Sequence, residues 1–126
     1  INTLQAMQDP ETGLFHESTH HPIHTTAHCA AALELFDAPP LYPVNALAYT
    51  LEEEKLEEFL DSIDWKVNPW TDSHRGAGIY VSMNLSGLAT PAWNRRYFRW
   101  FWDNADPITG MWRKGYAGNP STCAFP

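Results

Sequence analysis

The sequence predicts an all-α fold, built as an array of helical hairpins. Three observations lead to this prediction: no convincing strand-type alternation occurs, one-sided amphipathic helices alternate with helices rich in small residues, and one turn motif recurs. The motif has the form D-P-x-T-G-x-aromatic and stands at residues 9–15 and again at 106–112. Its proline and glycine are typical of a tight turn, so the motif is predicted to connect successive hairpins.

The composition predicts one ordered domain over residues 1–126 and excludes several classes of protein. Aromatic residues make up 13% of the chain, which is far too many for a disordered protein. The net charge of −7 argues against a nucleic-acid partner. No apolar run approaches the roughly 18 residues of a membrane span. Two cysteines, Cys29 and Cys123, do not make a secreted disulfide scaffold, and a soluble, cytoplasmic protein is favoured without being established.

The first half of the chain predicts two helices on either side of the first turn. Residues 1–8 have the pattern of a helix end, and the polar residues 16–23 that follow the turn are predicted to form a loop. A second helix is predicted over residues 24–35, where several alanines allow close approach of a neighbouring helix. The segment 37–40 ends it, because its two prolines cannot continue a helix.

The middle of the chain predicts a short helical piece at 44–49 and then an amphipathic helix. Thr50 and Glu53 form a capping-box pattern ahead of that helix. Its apolar residues recur at helical spacing and form one stripe, made of Leu56, Phe59, Leu60 and Ile63. A second turn region is predicted at 65–72, with Asn68-Pro69-Trp70 as a weaker copy of the motif.

The last part of the chain predicts two more helices and a tail. A small-residue helix is predicted over 74–85, and an aromatic-rich helix over 92–105. Thr90 is predicted to cap the aromatic helix, with Pro91 in its first turn. Residues 113–126 are rich in glycine, proline and serine and are predicted to form an irregular tail.

Gln5 and Gln8, followed by residues 9–15, resemble the Q-x-x-D-G-x-[FW] motif of squalene and terpenoid cyclases and of protein prenyltransferase β-subunits. The D-P-x-T-G-x-W form resembles bacterial members of the wider α/α-toroid group. The resemblance covers residues 1–115 and implies helical hairpins around a central cavity, with ligand chemistry at the N-terminal ends of the inner helices. Such toroids serve terpene cyclisation, prenyl transfer, polysaccharide hydrolysis and lyase chemistry, and non-catalytic recognition.

Two features of the chain depart from these families. The D-x-D-D acid motif of terpenoid cyclases is missing, and no D-x-C placement matches the zinc ligands of prenyltransferase β-subunits. The chain also supplies about two and a half repeats, fewer than the closed ring that the resemblance implies. The count therefore predicts a fragment of a larger toroid, or a ring that another chain completes.

Histidines make the sharpest chemical signal. His24 and His28 are four residues apart on one predicted helix face, and His20 lies just before them. This is the spacing of metal ligands, so His20, His24 and His28 are a candidate zinc site. The alternative is a histidine-lined ligand cavity without metal, which the sequence favours because a metalloprotease would need glutamate where Thr25 stands.

A second candidate site is predicted at the start of the helix over 74–85. His74 follows Asp72 closely, and a carboxylate beside an imidazole is a common arrangement for a general base. His74 also takes the place in its helix that His24 takes in the earlier one, so His74, Asp72 and His24 are the candidate catalytic residues. The alternative is that Asp72 or Ser73 only caps the helix.

Aromatic side chains and one arginine complete the predicted site. We expect the ligand to contact His20, His28 and Arg75, together with the faces of Trp65, Trp70 and Tyr80. The leading functional hypothesis is a domain that binds or acts on a carbohydrate, as a hydrolase or lyase if it is an enzyme. The alternatives are a terpenoid-cyclase-like or prenyltransferase-like enzyme, and a non-catalytic recognition or structural repeat.

Overall fold

The computed structural model describes residues 1–67 and 69–112, and it confirms the all-α prediction for them. In these residues the regular structure is helical, apart from two isolated β-bridges. Asn68 and the predicted tail at 113–126 lie outside the described residues. The α-helices are α1 (Asn2–Gln5), α2 (Pro22–Glu34), α3 (Glu53–Asp61), α4 (Pro69–Asp72), α5 (His74–Leu85) and α6 (Pro91–Asn104), and a 3-10 helix spans Asn45–Leu51.

Helices α2 and α5 lie side by side and run in the same direction. Their first turns meet, with the rings of His24 and His74 4.7 Å apart, and their following turns line the same cavity. The close approach depends on small residues: a Cβ on Gly78 would lie 3.0 Å from Ile23 Cγ2. Two parallel small-residue helices therefore form one layer of the fold.

Helices α3 and α6 pack against each other and form a second layer. The predicted apolar stripe of α3 is buried, and α6 adds Trp93, Tyr97, Trp100 and Phe101 to the same core. Ile79 and Met83 of α5 complete this core from the first layer. Large apolar side chains thus fill the space between the layers, whereas small ones line the far side of α2 and α5.

The predicted start of α6 is confirmed, but the predicted capping box is wrong. Thr90 Oγ1 accepts a hydrogen bond from the Trp93 amide, and Pro91 opens the helix. Thr50, however, is fully buried and donates to the Leu47 carbonyl, while Glu52 precedes α3 without a side-chain cap. The threonine is used to close the 3-10 helix, so it cannot cap the next one.

The two copies of the D-P-x-T-G-x-aromatic turn share one hydrogen-bond pattern. Asp9 Oδ1 accepts from the second and third amides after it, and Asp106 Oδ1 does the same. In each copy the glycine amide donates to the carbonyl of that aspartate at 2.8 Å. Gly13 and Gly110 both have φ near +70°, a conformation that glycine adopts without strain. The motif is therefore a self-contained turn.

A third turn of this kind lies at Asp64, where the sequence pattern hides it. Asp64 Oδ1 accepts from the amides of Lys66 and Val67, as the aspartates of the other copies do. The segment reads D-W-K-V-N-P-W, so only the aspartate and the last aromatic residue match the motif. The prediction that placed the middle turn at Asn68-Pro69-Trp70 is wrong, because α4 begins at Pro69.

Candidate functional site

The first turns of α2 and α5 form one wall of a cavity of about 810 Å³. Its lining combines small apolar side chains from both helices with imidazoles, hydroxyl groups and one indole. A cavity with an apolar surface and a few converging polar groups is the usual form of a small-molecule site. The residues that line it are Thr19, His20, His21, His24, Ala27, His28, Ala31, Trp70, Thr71, Ser73, His74, Ala77, Gly78 and Val81.

Four predicted histidines meet in this cavity. The His24 ring lies at the centre, 4.4 Å from His28, 4.7 Å from His74 and 5.5 Å from His20 between ring centroids. A fifth ring, that of His21, lies 6.4 Å from His74. The parallel packing of α2 and α5 brings these rings together, because it places the first turns of both helices at the same end.

His74 is held in one tautomer. The Trp70 backbone makes a hydrogen bond to its ring, while Nε2 is buried and has no hydrogen-bond partner. The bonded atom is therefore Nδ1, which donates to the Trp70 carbonyl, and Nε2 is left with its lone pair free. A fixed ring with an unprotonated Nε2 is the form that a general base needs.

The histidines at the centre of the cavity favour their neutral form. Burial lowers the pKa of His74, although the Asp72 carboxylate opposes this shift. Burial also lowers the pKa of His24, and the rings of His28 and His74 lower it further. For His21, burial and the Arg75 guanidinium lower the pKa. Removal from water disfavours the charged imidazole, so these rings are poised as acceptors near neutral pH.

Asp72 does not orient His74 as predicted. Its carboxylate forms a bidentate pair with Arg75, with Oδ1 2.6 Å from Nε and Oδ2 2.7 Å from an Nη atom. Oδ2 also accepts from the Asp64 amide at 2.8 Å, which closes the middle turn. The Arg75 hydrogen bond lowers the pKa of Asp72. Asp72 and Arg75 therefore brace the turn before α5, and neither lines the cavity.

Of the three predicted aromatic contacts, only Trp70 reaches the cavity. Its side chain is 67% exposed and lies beside the histidines. Trp65 lies in the core instead, where its indole donates to the Leu60 carbonyl and packs on Trp100. Tyr80 lies against the rings of α6 and is not among the cavity residues. The prediction that Trp65 and Tyr80 line the cavity is wrong.

Four polar residues that line the cavity were missing from the predicted site: Thr19, His21, Thr71 and Ser73. His21 was visible in the sequence as part of the histidine cluster, and its ring both caps α2 and faces His74. Thr19, Thr71 and Ser73 carried no signal, because a single hydroxyl residue in a loop or helix cap resembles any other. Only the packing of α2 on α5 places them at the cavity.

A second, smaller cavity of about 360 Å³ lies on the other side of the histidines. Cys29 lines it as a free thiol whose pKa burial raises, and Glu17 lies at its edge. Within residues 1–67 and 69–112, no group of three or more His, Cys, Asp or Glu side chains is arranged to hold a metal ion. The candidate zinc ligands His20, His24 and His28 therefore do not fit a metal in this arrangement.

Comparison with protein-family models, with curated proteins and with solved structures found no match to this chain. In the described part, no helix combines the length and the apolar character that crossing a membrane requires. The function must therefore be argued from the cavity itself.

Proposed function

We propose that the chain belongs to an α/α-toroid-type repeat domain, and that its histidine-lined cavity binds and cleaves an acidic carbohydrate by β-elimination. The single observation that carries the proposal is the neutral, oriented His74, which lies beside the exposed indole of Trp70. The geometry thus combines a proton acceptor with a stacking surface in one cavity.

The arrangement of the helices supports the repeat assignment. Parallel small-residue helices α2 and α5 form one layer, and the amphipathic helices α3 and α6 form the other. An aspartate-centred turn precedes each helix of the first layer, at Asp9 before α2 and at Asp64 before α5. This is the alternation of inner and outer helices that the resemblance to terpenoid cyclases and prenyltransferase β-subunits implies.

The chemistry of the lining favours a sugar over an isoprenoid. An isoprenoid chain needs apolar walls of large side chains, whereas the described lining contains one indole, five imidazoles and the hydroxyls of Thr19, Thr71 and Ser73. Indole faces stack on the C–H faces of sugar rings, and imidazole and hydroxyl groups bond their hydroxyls. Trp70 is available for stacking because Trp65 fills the core in its place.

The lining also favours elimination over hydrolysis. Glycoside hydrolysis commonly uses two carboxyl groups that flank the scissile bond. No Asp or Glu is among the described residues that line the cavity, because Asp72 is turned toward Arg75. Elimination needs one base that removes a proton from the carbon beside a sugar carboxyl group, and a neutral imidazole is suited to this step.

In the proposed reaction, His74 Nε2 takes the proton from the carbon next to the carboxyl group. The electron pair of that C–H bond forms a C=C bond, the glycosidic C–O bond breaks, and the leaving oxygen takes a proton from water. Nε2 is buried, and the His24 ring packs 4.7 Å from that of His74, so a neighbouring side chain must move before the substrate can reach Nε2. Burial lowers the pKa of His74, so the ring is unprotonated near neutral pH and can accept the proton of a bound substrate.

The experiment exposes the purified chain to oligosaccharides with and without carboxyl groups and follows the ultraviolet absorbance of the new C=C bond. We expect absorbance to rise only with acidic oligosaccharides, and His74→Ala to lower the rate by about 10²-fold or more, the usual contribution of a general base. His16→Ala is the matched control, because His16 is exposed and lies outside the cavity.

A separate binding measurement tests the sugar platform. Trp70→Ala should weaken oligosaccharide binding about tenfold, from the loss of one stacking contact. Trp102→Ala should leave binding unchanged, since Trp102 is as exposed as Trp70 but lies on α6 outside the cavity. Equal binding by wild type and Trp70→Ala would show that sugars do not stack at this site.

A further inference from the structure

We propose that copies of this chain associate head to tail, with the open edge of α2 in one copy packing against the open edge of α5 and α6 in the next. The α2 edge consists of Thr25, His28, Ala32 and Leu35, and the α5–α6 edge consists of Tyr80, Phe98 and Trp102. This inference concerns assembly and does not depend on the proposed reaction.

The chain already contains one such interface, between its own α2 and α5. In that interface His24, Ala27 and Ala31 of α2 correspond to His74, Ala77 and Val81 of α5, since both sets line the cavity at the same spacing along their helices. Each inner helix thus has two equivalent sides. In α2 one of these sides is covered by α5. In α5 it is the other of the two equivalent sides that is covered, by α2.

The uncovered side of α2 corresponds to the covered side of α5. Gly78 and Ser82 of α5 are buried against α2, with Gly78 in contact with Ile23. Their counterparts in α2 are His28, which is exposed and lines the smaller cavity of about 360 Å³, and Ala32, which is half-buried. Small or adaptable side chains at these positions leave room for a neighbouring helix, as they do between α2 and α5.

Two further features indicate that the α2 edge would be stabilised by a partner. Thr25 is 7% exposed and lines the smaller cavity, yet its Oγ1 has no hydrogen-bond partner. Leu35 continues the line of His28 and Ala32 along the helix, and it is 84% exposed. A buried unpaired hydroxyl and a large exposed apolar side chain on one helix face both cost free energy until a partner covers them.

The other edge is formed by α6 and the side of α5 that faces away from α2. Phe98 packs edge-on against Tyr80, and its outer surface remains 56% exposed, next to Trp102 at 82%. Exposed arginines flank these rings at Arg95 and Arg99, whereas the α2 edge carries the Glu17 carboxylate. A hydrogen bond from Thr19 lowers the pKa of Glu17 to about 2, so it stays ionised. The two edges are complementary in charge, and each is partly apolar.

Complementary edges on opposite sides of one chain make a heterologous contact, which grows into rings or filaments rather than stopping at a symmetric pair. The proposed occupant of each edge is a second copy of this chain. The α2 edge and the α5–α6 edge are the two halves of the kind of contact that α2 and α5 already make within one chain. Pairing of two α2 edges would instead bring two Glu17 carboxylates together.

The test uses three variants in analytical ultracentrifugation over a range of concentrations. Leu35→Glu disables the α2 edge and Trp102→Glu disables the α6 edge, and both residues are exposed enough that folding should be kept, as circular dichroism can verify. Val67→Glu is the control, since Val67 is as exposed as Leu35 but lies on the middle turn.

We expect the mass of wild type and Val67→Glu to rise with concentration beyond twice the 14.3 kDa of one chain. Each edge variant alone should remain a monomer. An equal mixture of the two edge variants should form a dimer and stop there, because one good edge of each kind remains. A monomeric wild type, or edge variants that do not pair when mixed, would overturn the proposal.

Discussion

The turns at residues 9–15 and 106–112 have the same internal hydrogen bonds, but the first is covered by another segment of the chain and the last is largely exposed. In the first, Ala46 donates to the Thr12 carbonyl, and the side chain of Gln8 ties the turn to the segment at 41–42. Phe15 is fully buried behind it. In the last, Ile108 is 92% exposed, and Trp112 ties the turn to α6 by donating to the Phe101 carbonyl. The motif therefore specifies a shape, and its neighbours determine how much stability depends on it.

The largest difference between the two copies is expected at their glycines. A Cβ on Gly13 would lie 1.9 Å from the Pro43 carbonyl oxygen, whereas nothing lies within 4 Å of one on Gly110. Gly13→Ala should lower the free energy of unfolding by about 3 kcal/mol or more, from backbone strain and overpacking together. Gly110→Ala should cost about 1 kcal/mol, from the positive φ alone. Urea denaturation measures both, and equal losses would contradict the comparison.

The next largest loss of stability is expected on replacing Gln8, whose counterpart in the last turn is Ala105. Gln8 Nε2 donates to the Gly13 and Tyr42 carbonyls at 2.7 Å, and Oε1 accepts from the amides of Leu41 and Tyr42. Gln8→Ala should cost about 2–3 kcal/mol, because it leaves buried backbone groups without partners.

The matched control for Gln8 is Ala105→Gln, which introduces glutamine at the equivalent place. It should change the free energy of unfolding by no more than about 0.5 kcal/mol, since no second segment within residues 1–67 and 69–112 covers the last turn. A large gain from Ala105→Gln would show that glutamine stabilises this turn by itself.

Acid should affect the cavity before it affects either turn. Burial lowers the pKa of His21, His24 and His74 below 6.5 in the folded chain, so the unfolded chain binds more protons once the pH falls below that value. Their contribution to stability is complete above pH 6.5 and is lost as the pH falls through the folded values. Backbone hydrogen bonds lower the pKa of Asp9, so the first turn stays ionised to a lower pH.

Urea denaturation at pH 7.5 and pH 5.5 measures this loss. His74→Asn should make the stability depend less on pH over that interval, because asparagine does not titrate. His16→Asn should leave the dependence unchanged, since His16 is exposed and does not line the cavity. A stability that is level from pH 7.5 to 5.5 would contradict the lowered pKa values.

The smallest effect is expected at the last position of the middle turn. Phe15 and Trp112 pack inward in their copies, but Trp70 is 67% exposed and Trp65 takes the inward place. Trp70→Ala should therefore change the free energy of unfolding by less than about 0.5 kcal/mol, whereas Trp112→Ala should cost about 1 kcal/mol or more. Thermal denaturation of both variants checks the order.

Local signals predicted the helices well. The start of α5 at His74 and its end at Leu85 follow from the sequence, as do the cap at Thr90 and the proline at Pro91. These features depend on residues close together in the chain. The predicted capping box at Thr50 was wrong because its hydroxyl donates to the Leu47 carbonyl within the 3-10 helix.

The candidate site was predicted in part, because its histidines share a helix face while its other partners do not. His20, His24, His28 and His74 meet as expected. Asp72 was assigned to the wrong neighbour, since Arg75 one helical turn later offers it two hydrogen bonds. Trp65 was expected at the cavity but lies in the core, because the middle turn was not recognisable with so few matching residues.

The closure of the middle turn has a consequence for ionic conditions. The Asp9 amide donates to a backbone carbonyl, but the Asp64 amide donates to the Asp72 carboxylate, which the Arg75 guanidinium holds in place. Trp70 therefore sits on a segment fixed by a charged pair, and dissolved ions weaken such a pair more than they weaken backbone bonds. Concentrated salt should therefore loosen the segment that carries Trp70 while the helices remain intact. Ligand affinity should then fall at a lower salt concentration than the stability of the fold does.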